Sequence, residues 1–461
     1  MIKPNHNLSL LQVNKKKIFF FLIFILINNC SFDNKTGIWG DTEKEKIKIA
    51  ELEKKQKEII EVEKIYSTET IYKKEKILTQ NISISKPRTS SSWLMSNQNN
   101  QNFLGNIYIS GINNIFLKKK IGKNKFPSDK STMPLLFFKN NIIFTDNTGT
   151  IFNINKSGKI NWKKNIYKKV YKKIYKNLVL SIYGNNIYIA DNIGFIYAIN
   201  FDTGELIWIK NYGIPFKSNI KILDNRIFLI DQDNKILCFD IKNGSLIWNI
   251  LSIESFIKSQ NLLSLAISKQ GELFALTSSA DLFKIIISSG NILWSRNTAA
   301  SMYANASDFF TSSEIVLTEN QMFFSSNFNI FSFDTNNGDL LWKNEINSAV
   351  SVPIVDGKNV FAVTDNGYFV ILDKDTGKIV SSTNILKILK ERNQNTKVRS
   401  FILGSGKIYS STTNGFIIVS SATTGKTEYF KKVGDVNKSN LIINDGSLYF
   451  LSENSKIIGF N

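Results

Sequence analysis

NNIYIADNIGFIYAINFDTGELIW, residues 185–208, contains three short strand-like runs separated by two turn signals. The runs are rich in β-branched and aromatic residues. The turns at residues 191–194 and 202–204 are built from Asp, Asn, Thr and Gly with one Ile, a composition that favours tight reversals of the chain. The stretch therefore predicts a small antiparallel meander.

The same pattern returns along most of the chain, each time with a Gly four residues before a Trp. The five pairs are Gly158/Trp162, Gly204/Trp208, Gly244/Trp248, Gly290/Trp294 and Gly338/Trp342. Two weaker copies keep the Gly and replace the Trp, as Gly377 with Ser381 and Gly425 with Tyr429. Successive glycines lie 39 to 48 residues apart. A repeat of this length made of short strands is typical of a β-propeller, in which each unit is one four-stranded blade. Because Gly accepts a positive φ, it suits the turn, and we expect the indole to cover the packing between neighbouring blades.

An N-terminal strand is predicted to complete the last blade. In residues 113–117, Asn113 aligns with the Gly of the repeat and Leu117 with the Trp, but the other strands of a blade do not precede them. Those strands are found at the other end of the chain, at residues 440–443, 447–452 and 456–460. Pairing the two ends closes a ring and removes an exposed sheet edge. The sequence thus predicts an all-β fold, an eight-bladed propeller of four-stranded antiparallel blades over residues 93–461.

The first 92 residues have the composition of a leader followed by a tether. Lys15, Lys16 and Lys17 precede ten consecutive apolar residues, 18–27, and together they are typical of a secretory signal at residues 1–29. Ten apolar residues are too few to cross a bilayer as a helix, which needs about 20. Residues 41–64 are dense in Glu and Lys without a regular heptad, so we expect residues 30–92 to form a charged helical or flexible tether.

Cys30 follows the apolar run directly, within the sequence Ile-Asn-Asn-Cys-Ser, and this stretch resembles a bacterial lipobox. Asn29 stands where that motif usually has a small residue. The resemblance implies that Cys30 is acylated, for example with palmitate, and becomes the new N-terminus. Ser31 after it implies sorting to the outer membrane. Several acyl chains on one residue form a stable anchor. The alternative is a Cys that follows an ordinary signal peptide by chance.

The remaining composition excludes several functional classes. The only histidine, His6, lies in the leader, and Cys238 is the only cysteine besides Cys30. The mature chain therefore lacks the most common general base, the most common metal ligand, a disulfide framework and any His-activated nucleophile. Cys238 lies in a strand-like run and is predicted to be a small buried residue. We expect no catalytic residue, no metal and no cofactor.

The net charge of +20 is spread over scattered lysines. A basic chain can bind nucleic acid, but these lysines form no stripe along the sequence, so we predict no nucleic-acid partner. One cluster interleaves lysines with aromatic residues, at 163–176 (KKNIYKKVYKKIYK). We predict that it is a solvated edge between blades, and the alternative is a binding patch.

The phrase at residues 197–208, Tyr-Ala followed by Thr-Gly and Trp, resembles the repeat of pyrroloquinoline-quinone enzymes, which are also eight-bladed. That resemblance implies a calcium site and a catalytic Asp, and often two adjacent cysteines, which this chain lacks. The Asp- and Asn-rich turns occur where hairpins require them and are spread over different blades. A quinone-dependent dehydrogenase therefore stays as the enzyme alternative, to be distinguished by clustered calcium-type ligands on the propeller axis.

The leader, Cys30, the tether and eight such blades together resemble the outer-membrane assembly lipoproteins of the BamB family. Further shared features are Gly-Ile-Trp at residues 37–39, Trp93 before the first strand and Ile-Gly at residues 121–122. The resemblance implies a non-enzymatic scaffold on the periplasmic face of the outer membrane. Its implied partners are a POTRA domain of a BamA-like barrel, the other lipoproteins of the assembly complex and unfolded barrel clients.

The same resemblance assigns the partner contact to two loops on neighbouring blades. In the first, the family has a hydrophobic-then-charged stretch ahead of Glu-Ser, and this motif matches residues 251–255 (Leu-Ser-Ile-Glu-Ser), although an expected Arg is absent. The residues that it assigns to the contact are Leu251, Ile253 and Glu254. In the second, Asp308 matches the first acidic residue of the family motif, and Phe310 replaces the second. We expect an apolar contact through Ile253 and Phe310 to take over from the weakened charged one. Two alternatives stay open: a generic lipid-anchored propeller with another envelope partner, and pairing of client peptides with an outer blade edge.

Overall fold

The computed structural model describes residues 47–48, 50–52, 54, 72–125, 135–252, 262–298, 312–326, 329–347, 352–393, 395–436 and 439–461. Among these residues the strands form eight four-stranded antiparallel sheets. The predicted leader and Cys30 lie outside the described residues. No helix in the described part of the chain has the length and hydropathy needed to cross a membrane.

Seven blades are each built from four consecutive strands. Blade 1 contains β2 (Leu135–Phe138), β3 (Asn141–Thr145), β4 (Ile151–Asn155) and β5 (Ile160–Lys164); blade 2 contains β6 (Leu178–Tyr183), β7 (Asn186–Asp191), β8 (Phe195–Asn200) and β9 (Leu206–Asn211). Blade 3 contains β10 (Lys221–Leu223), β11 (Arg226–Ile230), β12 (Ile236–Asp240) and β13 (Leu246–Ile250); blade 4 contains β14 (Ser264–Ile267), β15 (Glu272–Leu276), β16 (Asp281–Ile286) and β17 (Ile292–Asn297). Blade 5 contains β18 (Val316–Leu317), β19 (Gln321–Ser325), β20 (Ile330–Asp334) and β21 (Leu340–Asn344). Blade 6 contains β22 (Ile354–Asp356), β23 (Asn359–Val363), β24 (Tyr368–Asp373) and β25 (Ile379–Asn384); blade 7 contains β26 (Val398–Gly404), β27 (Lys407–Thr412), β28 (Phe416–Ser421) and β29 (Thr427–Lys432).

The eighth blade joins the two ends of the described propeller. It contains β30 (Ile442–Asn444), β31 (Ser447–Leu451) and β32 (Lys456–Phe460), and β1 (Ile115–Lys120) pairs antiparallel with β32 as the fourth strand. Leu117 of β1 is buried, whereas the other five residues of the strand are exposed. The predicted eight-bladed, all-β propeller closed by an N-terminal strand is therefore confirmed.

Each blade runs from a buried first strand to an exposed fourth strand. The first strands of blades 2, 3, 4 and 5 contact one another in sequence, so they line the axis of the ring. The middle strands are almost wholly apolar and buried, as in β8 and β12. The fourth strands alternate exposed and half-buried residues, as in β5 and β13. Cys238, in β12, is fully buried as predicted, and burial raises the pKa of its thiol to about 12.

The repeated Trp and Gly join neighbouring blades, as predicted. A Cβ added to Gly244 of blade 3 would lie 2.4 Å from the indole of Trp208 in blade 2, so the ring lies flat on the glycine backbone. Trp208 Nε1 also donates to the carbonyl of Ile241, three residues before that Gly, at 3.1 Å. The corresponding indole hydrogen bond recurs for Trp162, Trp248 and Trp342. The packing of the ring on the glycine recurs for Trp162 on Gly204, Trp248 on Gly290, Trp294 on Gly338 and Trp342 on Gly377. We call this contact the rim latch.

The basic cluster at residues 163–176 is only partly a solvated edge. Lys172 and Lys173 are exposed, at the end of a short 3₁₀ segment, Lys169–Lys173. Tyr171 and Lys176 are buried, however, and the Lys176 ammonium donates to the carbonyl of Tyr171. Tyr171 therefore packs inward, which the pattern of lysines did not indicate. A second 3₁₀ segment, Ile385–Asn393, kinks at Lys390.

Residues 72–92, part of the stretch that the sequence assigns to the tether, already contact the propeller. Tyr72 is buried between blades 5 and 6, and Leu78, Ile82 and Ile84 pack against the cluster between blades 6 and 7. The alternation of Ile82 and Ile84 with serines is too short to distinguish from a polar linker by pattern. The packed part of the chain therefore extends N-terminal to Trp93.

Candidate partner-binding face and propeller axis

The five predicted partner residues belong to the connections that follow blades 3 and 4. Leu251 comes directly after β13 and is 68% exposed. Ile253, Glu254, Asp308 and Phe310 lie outside the described residues. Their assignment to the partner contact stays a prediction.

The first residues of both connections are hydrogen-bonded to the same part of blade 4, the turn between β15 and β16 and the first residue of β16. Ser252 donates through its hydroxyl to Asp281 at 2.5 Å, and Asn297 donates through its side chain to the other oxygen of Asp281 at 2.6 Å. The backbone N–H of Thr298 donates to the carbonyl of Ala280 at 2.9 Å. The structure thus brings together the start of the first loop and the start of the second.

Both connections emerge on the same face of the ring. Each one joins the outer strand of a blade to the inner strand of the next, β13 to β14 and β17 to β18. In a propeller such connections all cross one face, because the strands of every blade run in the same alternating directions. The exposed Leu251 and the roots of the two loops therefore belong to one surface over blades 3 to 5.

The propeller axis is lined by the chain's own N-terminal residues, a segment that we call the axial belt, residues 85–110. Residues 93–101 contact blades 1 to 5 in order, and residues nearer the two ends of the belt contact blades 6 to 8. Its main-chain and side-chain hydrogen bonds include Trp93 with Phe137 in blade 1, Leu94 with Ile182 in blade 2, Asn100 with Ile222 in blade 3 and Ile267 in blade 4, Gln101 with Leu317 in blade 5, Ser85 with Asp356 in blade 6, Ile107 with Leu403 in blade 7 and Ser110 with Gly446 in blade 8. Inner strands otherwise present an unpaired edge, so the belt satisfies polar groups in all eight blades.

The belt is rich in Asn and Gln, from residue 96 to 102 (SNQNNQN), and this composition suits its path. Asn97, Gln98 and Asn102 have positive φ values of 52°, 70° and 57°. Asn tolerates this conformation better than most residues. The Asn102 amide also donates to two inner-strand carbonyls, those of Leu265 and Ile315, at 3.0 and 2.7 Å.

A buried lysine anchors the belt. Lys221, the first residue of β10, is fully buried, and its ammonium donates to Asn102 Oδ1 at 2.5 Å and to the carbonyl of Asn99 at 3.0 Å. Burial lowers the pKa of this ammonium to about 8, and the charge of Glu314 opposes the shift. Glu314 itself accepts hydrogen bonds from the side chains of Ser96 and Asn219. The network joins the belt to blades 3 and 5.

A small cavity of about 50 Å³ lies on the axis beside the belt. Its lining includes Trp93 and Leu104 of the belt and the inner-strand residues Leu135, Leu178 and Ile354. Such a volume holds about three or four water molecules. In the part of the chain that the structure describes, no three His, Cys, Asp or Glu side chains are grouped so as to hold a metal ion.

Sequence reasoning missed Asp281, Lys221 and the belt. Asp281 was one of many Asp residues in hairpin turns, and nothing in its local sequence marks the two loops that it holds. The Asn-rich run at 96–102 was the available signal, because several consecutive residues that accept positive φ are unusual in a regular strand.

A family model described as outer membrane protein assembly factor BamB matches residues 147–383, just over half of the chain. The chain belongs to the BamB family. The match covers the repeats from the second half of blade 1 through nearly all of blade 6, including all five rim-latch tryptophans.

Two individual comparisons agree with this family. BamB of Moranella endobia (strain PCIT) is 22% identical over 236 residues, which are 45% of this chain and 58% of the relative, so the match spans less than two thirds of that protein. The crystal structure of BamB from Moraxella catarrhalis superposes with a TM-score of 0.58 at 13% identity, over 76% of this chain and 100% of that one.

The propeller is also shared with quinoproteins. The quinohemoprotein alcohol dehydrogenase of Comamonas testosteroni superposes with a TM-score of 0.60 at 9% identity, over 78% of this chain and 76% of that one. At such low identity the similarity concerns the fold alone.

Proposed function

We propose that the protein is a non-enzymatic scaffold of the outer-membrane β-barrel assembly machinery that binds a POTRA domain of a BamA-like barrel and assists the insertion of barrel proteins. The observation that carries the proposal is the match of the repeat region to the BamB family. The other lipoproteins of that machinery and unfolded barrels are its further partners.

The proposed contact is formed by the two loops after blades 3 and 4. Their bases are supported by the same Asp281 turn, through Ser252 and Asn297, so the start of each loop is held in a fixed position. A contact surface whose parts are already positioned loses less conformational entropy on binding. Leu251 supplies exposed apolar area two residues before the proposed anchor Ile253, and apolar anchors dominate many interfaces.

The proposed attachment is a lipid anchor at Cys30, on the periplasmic face of the outer membrane. The basic and apolar leader and the lipobox-like sequence around Cys30 support it. Replacing Cys30 with Ser is expected to move the mature protein from the membrane fraction to the soluble periplasm, which immunoblotting of fractions measures. Retention of the variant in the membrane fraction would contradict the anchor.

The absence of enzymatic activity is part of the proposal, and the axial belt supports it. In the quinoprotein alternative a cofactor with its calcium ligands would lie on the propeller axis. In this chain, residues 85–110 hydrogen-bond to the inner strands at the axis. The small volume left beside Trp93 and Leu104 would not hold a quinone cofactor.

The decisive experiment is affinity purification of the tagged, lipidated protein from detergent-solubilised envelopes, followed by mass spectrometry. We expect recovery of a BamA-like barrel, and a loss of at least tenfold with Ile253→Glu and with Phe310→Ala. The matched controls are Ile160→Glu and Tyr429→Ala, which alter half-exposed residues on the outer strands of blades 1 and 7. These controls are expected to recover the barrel normally.

Two outcomes would contradict the proposal at different levels. Recovery of the barrel by all four variants would reject the assignment of the contact to the two loops but would leave the scaffold function standing. Failure of the unaltered protein to recover any barrel would reject the scaffold in favour of a propeller with another envelope partner.

A further inference from the structure

The outer edge of blade 6 is bridged by a segment from the N-terminal part of the chain. Residues 72–79, which we call the strap, lie antiparallel along β25. The backbone N–H of Lys76 donates to the carbonyl of Ser382 and the N–H of Ser382 donates to the carbonyl of Lys76, both at 2.9 Å. Thr79 N–H donates to the carbonyl of Val380 at 3.3 Å. The outer edge of this blade is therefore paired, in the way that one strand adds to a sheet.

The receiving strand differs from the other outer strands of the ring. In β25, Val380, Ser381 and Ser382 are buried in succession, whereas β13 and β17 expose most of their residues. Ser381 occupies the position of the rim-latch Trp. The following glycine, Gly425 of blade 7, is covered by Thr383 instead, because an added Cβ there would lie 2.8 Å from the Thr383 hydroxyl. Blade 6 thus has no Trp at the rim-latch position, and β25 presents small polar side chains beneath the strap.

One aromatic side chain anchors the strap at its start. Tyr72 is buried, meets the ring of Tyr368 edge to face at a centroid distance of 5.5 Å, and donates to the Ser382 hydroxyl at 3.3 Å. The Asn366 amide donates to the carbonyl of Tyr72 at 2.6 Å. Beyond this anchor, the side chains of residues 73–77 are exposed, with Ile77 89% exposed.

The strap is held by the buried ring of Tyr72, by the half-buried side chain of Leu78 and by one exposed ion pair, Glu75 with Lys387 at 2.7 Å. Most of its remaining contacts are main-chain hydrogen bonds and side-chain hydrogen bonds that end on main-chain carbonyls, such as that of the Thr79 hydroxyl to Val380 at 3.1 Å. Main-chain pairing does not distinguish one extended sequence from another. Exposed ion pairs add little. Segments with few buried contacts open more readily than the core. An unrelated extended segment with an aromatic residue at the position of Tyr72 and an apolar residue at the position of Leu78 satisfies the same requirements.

We propose that the β25 edge of blade 6 is a strand-acceptor site that the strap occupies in cis, and that an extended segment of a partner binds there by displacing the strap. The partner segment carries an aromatic side chain for the Tyr72 pocket. The strands of transmembrane barrels, about ten residues long with apolar and aromatic residues on alternate positions, have this chemistry before they pair. This choice of partner rests on the proposed function, whereas the acceptor site itself does not.

The covalent connection of the strap makes the competition strong. A tethered segment competes at an effective concentration that reaches the millimolar range for short linkers. The unaltered protein is therefore expected to bind a free peptide only weakly. A change that weakens the strap without altering β25 is expected to expose the site.

The test measures binding of a fluorescent peptide of residues 70–81 to the full mature chain by anisotropy. Lys76→Pro removes the N–H that donates to Ser382 but leaves β25 intact, and it is expected to tighten peptide binding at least tenfold. Ile77→Pro is the matched control, because successive residues of a strand face opposite sides and the Ile77 N–H points away from β25. It is expected to bind like the unaltered chain.

A disulfide-locked chain supplies the opposite condition. Lys76 and Ser382 form a hydrogen-bonded antiparallel pair, whose Cα atoms lie about 5.5 Å apart and within reach of a disulfide. The double variant Lys76→Cys, Ser382→Cys is expected to show no peptide binding when oxidised and, when reduced, to bind at least as well as the unaltered chain. Hydrogen exchange of β25 is measured in parallel and is expected to rise in Lys76→Pro.

Equal peptide binding by the oxidised double variant and by Lys76→Pro would overturn the acceptor site. Unchanged hydrogen exchange in Lys76→Pro would overturn the displaceable strap. A barrel-strand peptide is expected to compete with the probe, and its variant with Ala for the aromatic residue is expected to compete at least tenfold less well. Failure of the barrel-strand peptide to compete would reject the named partner class. The assay contains no barrel assembly machinery, so its result is independent of the envelope purification.

Discussion

The rim and the axis of this propeller join the same eight blades by different means. At the rim, one local contact, Trp on Gly, is repeated between successive blades from blade 1 to blade 6. At the axis, one irregular segment, the belt at residues 85–110, reaches all eight blades through contacts that follow no common pattern. The rim is apolar and modular, whereas the axis is polar and depends on the whole ring. The comparison shows that a repeat fold can be closed by a part that is not a repeat.

The largest expected effect concerns the rim. Replacing Trp208 with Ala removes the indole that covers Gly244 and its hydrogen bond to Ile241, and it is expected to lower the free energy of unfolding by about 3 kcal/mol. The matched control is Tyr429→Ala, at the same repeat position in blade 7, where the ring is 38% exposed. The control is expected to cost less than about 1 kcal/mol. Urea denaturation followed by intrinsic fluorescence and circular dichroism measures both, and equal losses would contradict the special role of the latch.

The contrast explains what could be predicted from the sequence. The rim latch follows from Gly and Trp at a fixed offset, so five copies made the blade count, the closure by residues 113–117 and the Trp–Gly packing predictable. The belt and the Asp281 turn involve single residues whose partners are far away in sequence and share no spacing. The partner loops were predicted from family resemblance, and of their five residues only Leu251 lies in the described part of the chain.

The axis is tested by Asn102→Ala. This change removes two hydrogen bonds to inner-strand carbonyls, leaves the Lys221 ammonium without one acceptor and places Ala at a φ of 57°. It is expected to cost about 2 kcal/mol. Gln101→Ala is the control, because Gln101 contacts Leu317 through its backbone carbonyl, and it is expected to cost less than about 0.5 kcal/mol. A loss of stability in the control as large as that of Asn102→Ala would show that the belt side chains stabilise the fold by occupying space and not through these hydrogen bonds.

Two glycines allow the steric cost of a side chain beneath the indole to be measured separately from the cost of a positive φ. Gly244 and Gly406 have nearly the same φ, 69° and 74°, but an added Cβ meets Trp208 at 2.4 Å in the first and nothing within 4 Å in the second. Both Gly→Ala changes incur the strain of positive φ, about 1 kcal/mol. Gly244→Ala is expected to cost about 1 kcal/mol more, because the indole must move. Thermal unfolding of the two variants checks the difference, and identical melting temperatures would argue that the indole adapts freely.

The smallest expected effect is a pH dependence that arises at the axis and not at the rim. Burial lowers the pKa of Lys221 to about 8 in the folded protein, whereas the unfolded chain keeps the ordinary value of about 10.4. Below pH 8 both states are protonated, and the folded state bears the full cost of a buried charge. Between about pH 8 and about pH 10.4 the unfolded state binds more protons, so the contribution of this group to stability rises with pH.

Lys221→Met removes this titration and keeps an unbranched side chain of similar length. Relative to the variant, the unaltered protein is expected to gain about 1 kcal/mol between about pH 8 and about pH 9. Urea denaturation of both proteins across that range measures the difference, and subtracting the two curves cancels every other titrating group. Trp208→Ala should leave the same pH profile as the unaltered protein, since the rim latch contains no group that titrates there. Parallel curves for Lys221→Met and the unaltered protein would mean that Asn102 and Glu314 offset the free-energy cost of burying the ammonium at every pH. The belt would then be held by a charge that has no net cost of burial.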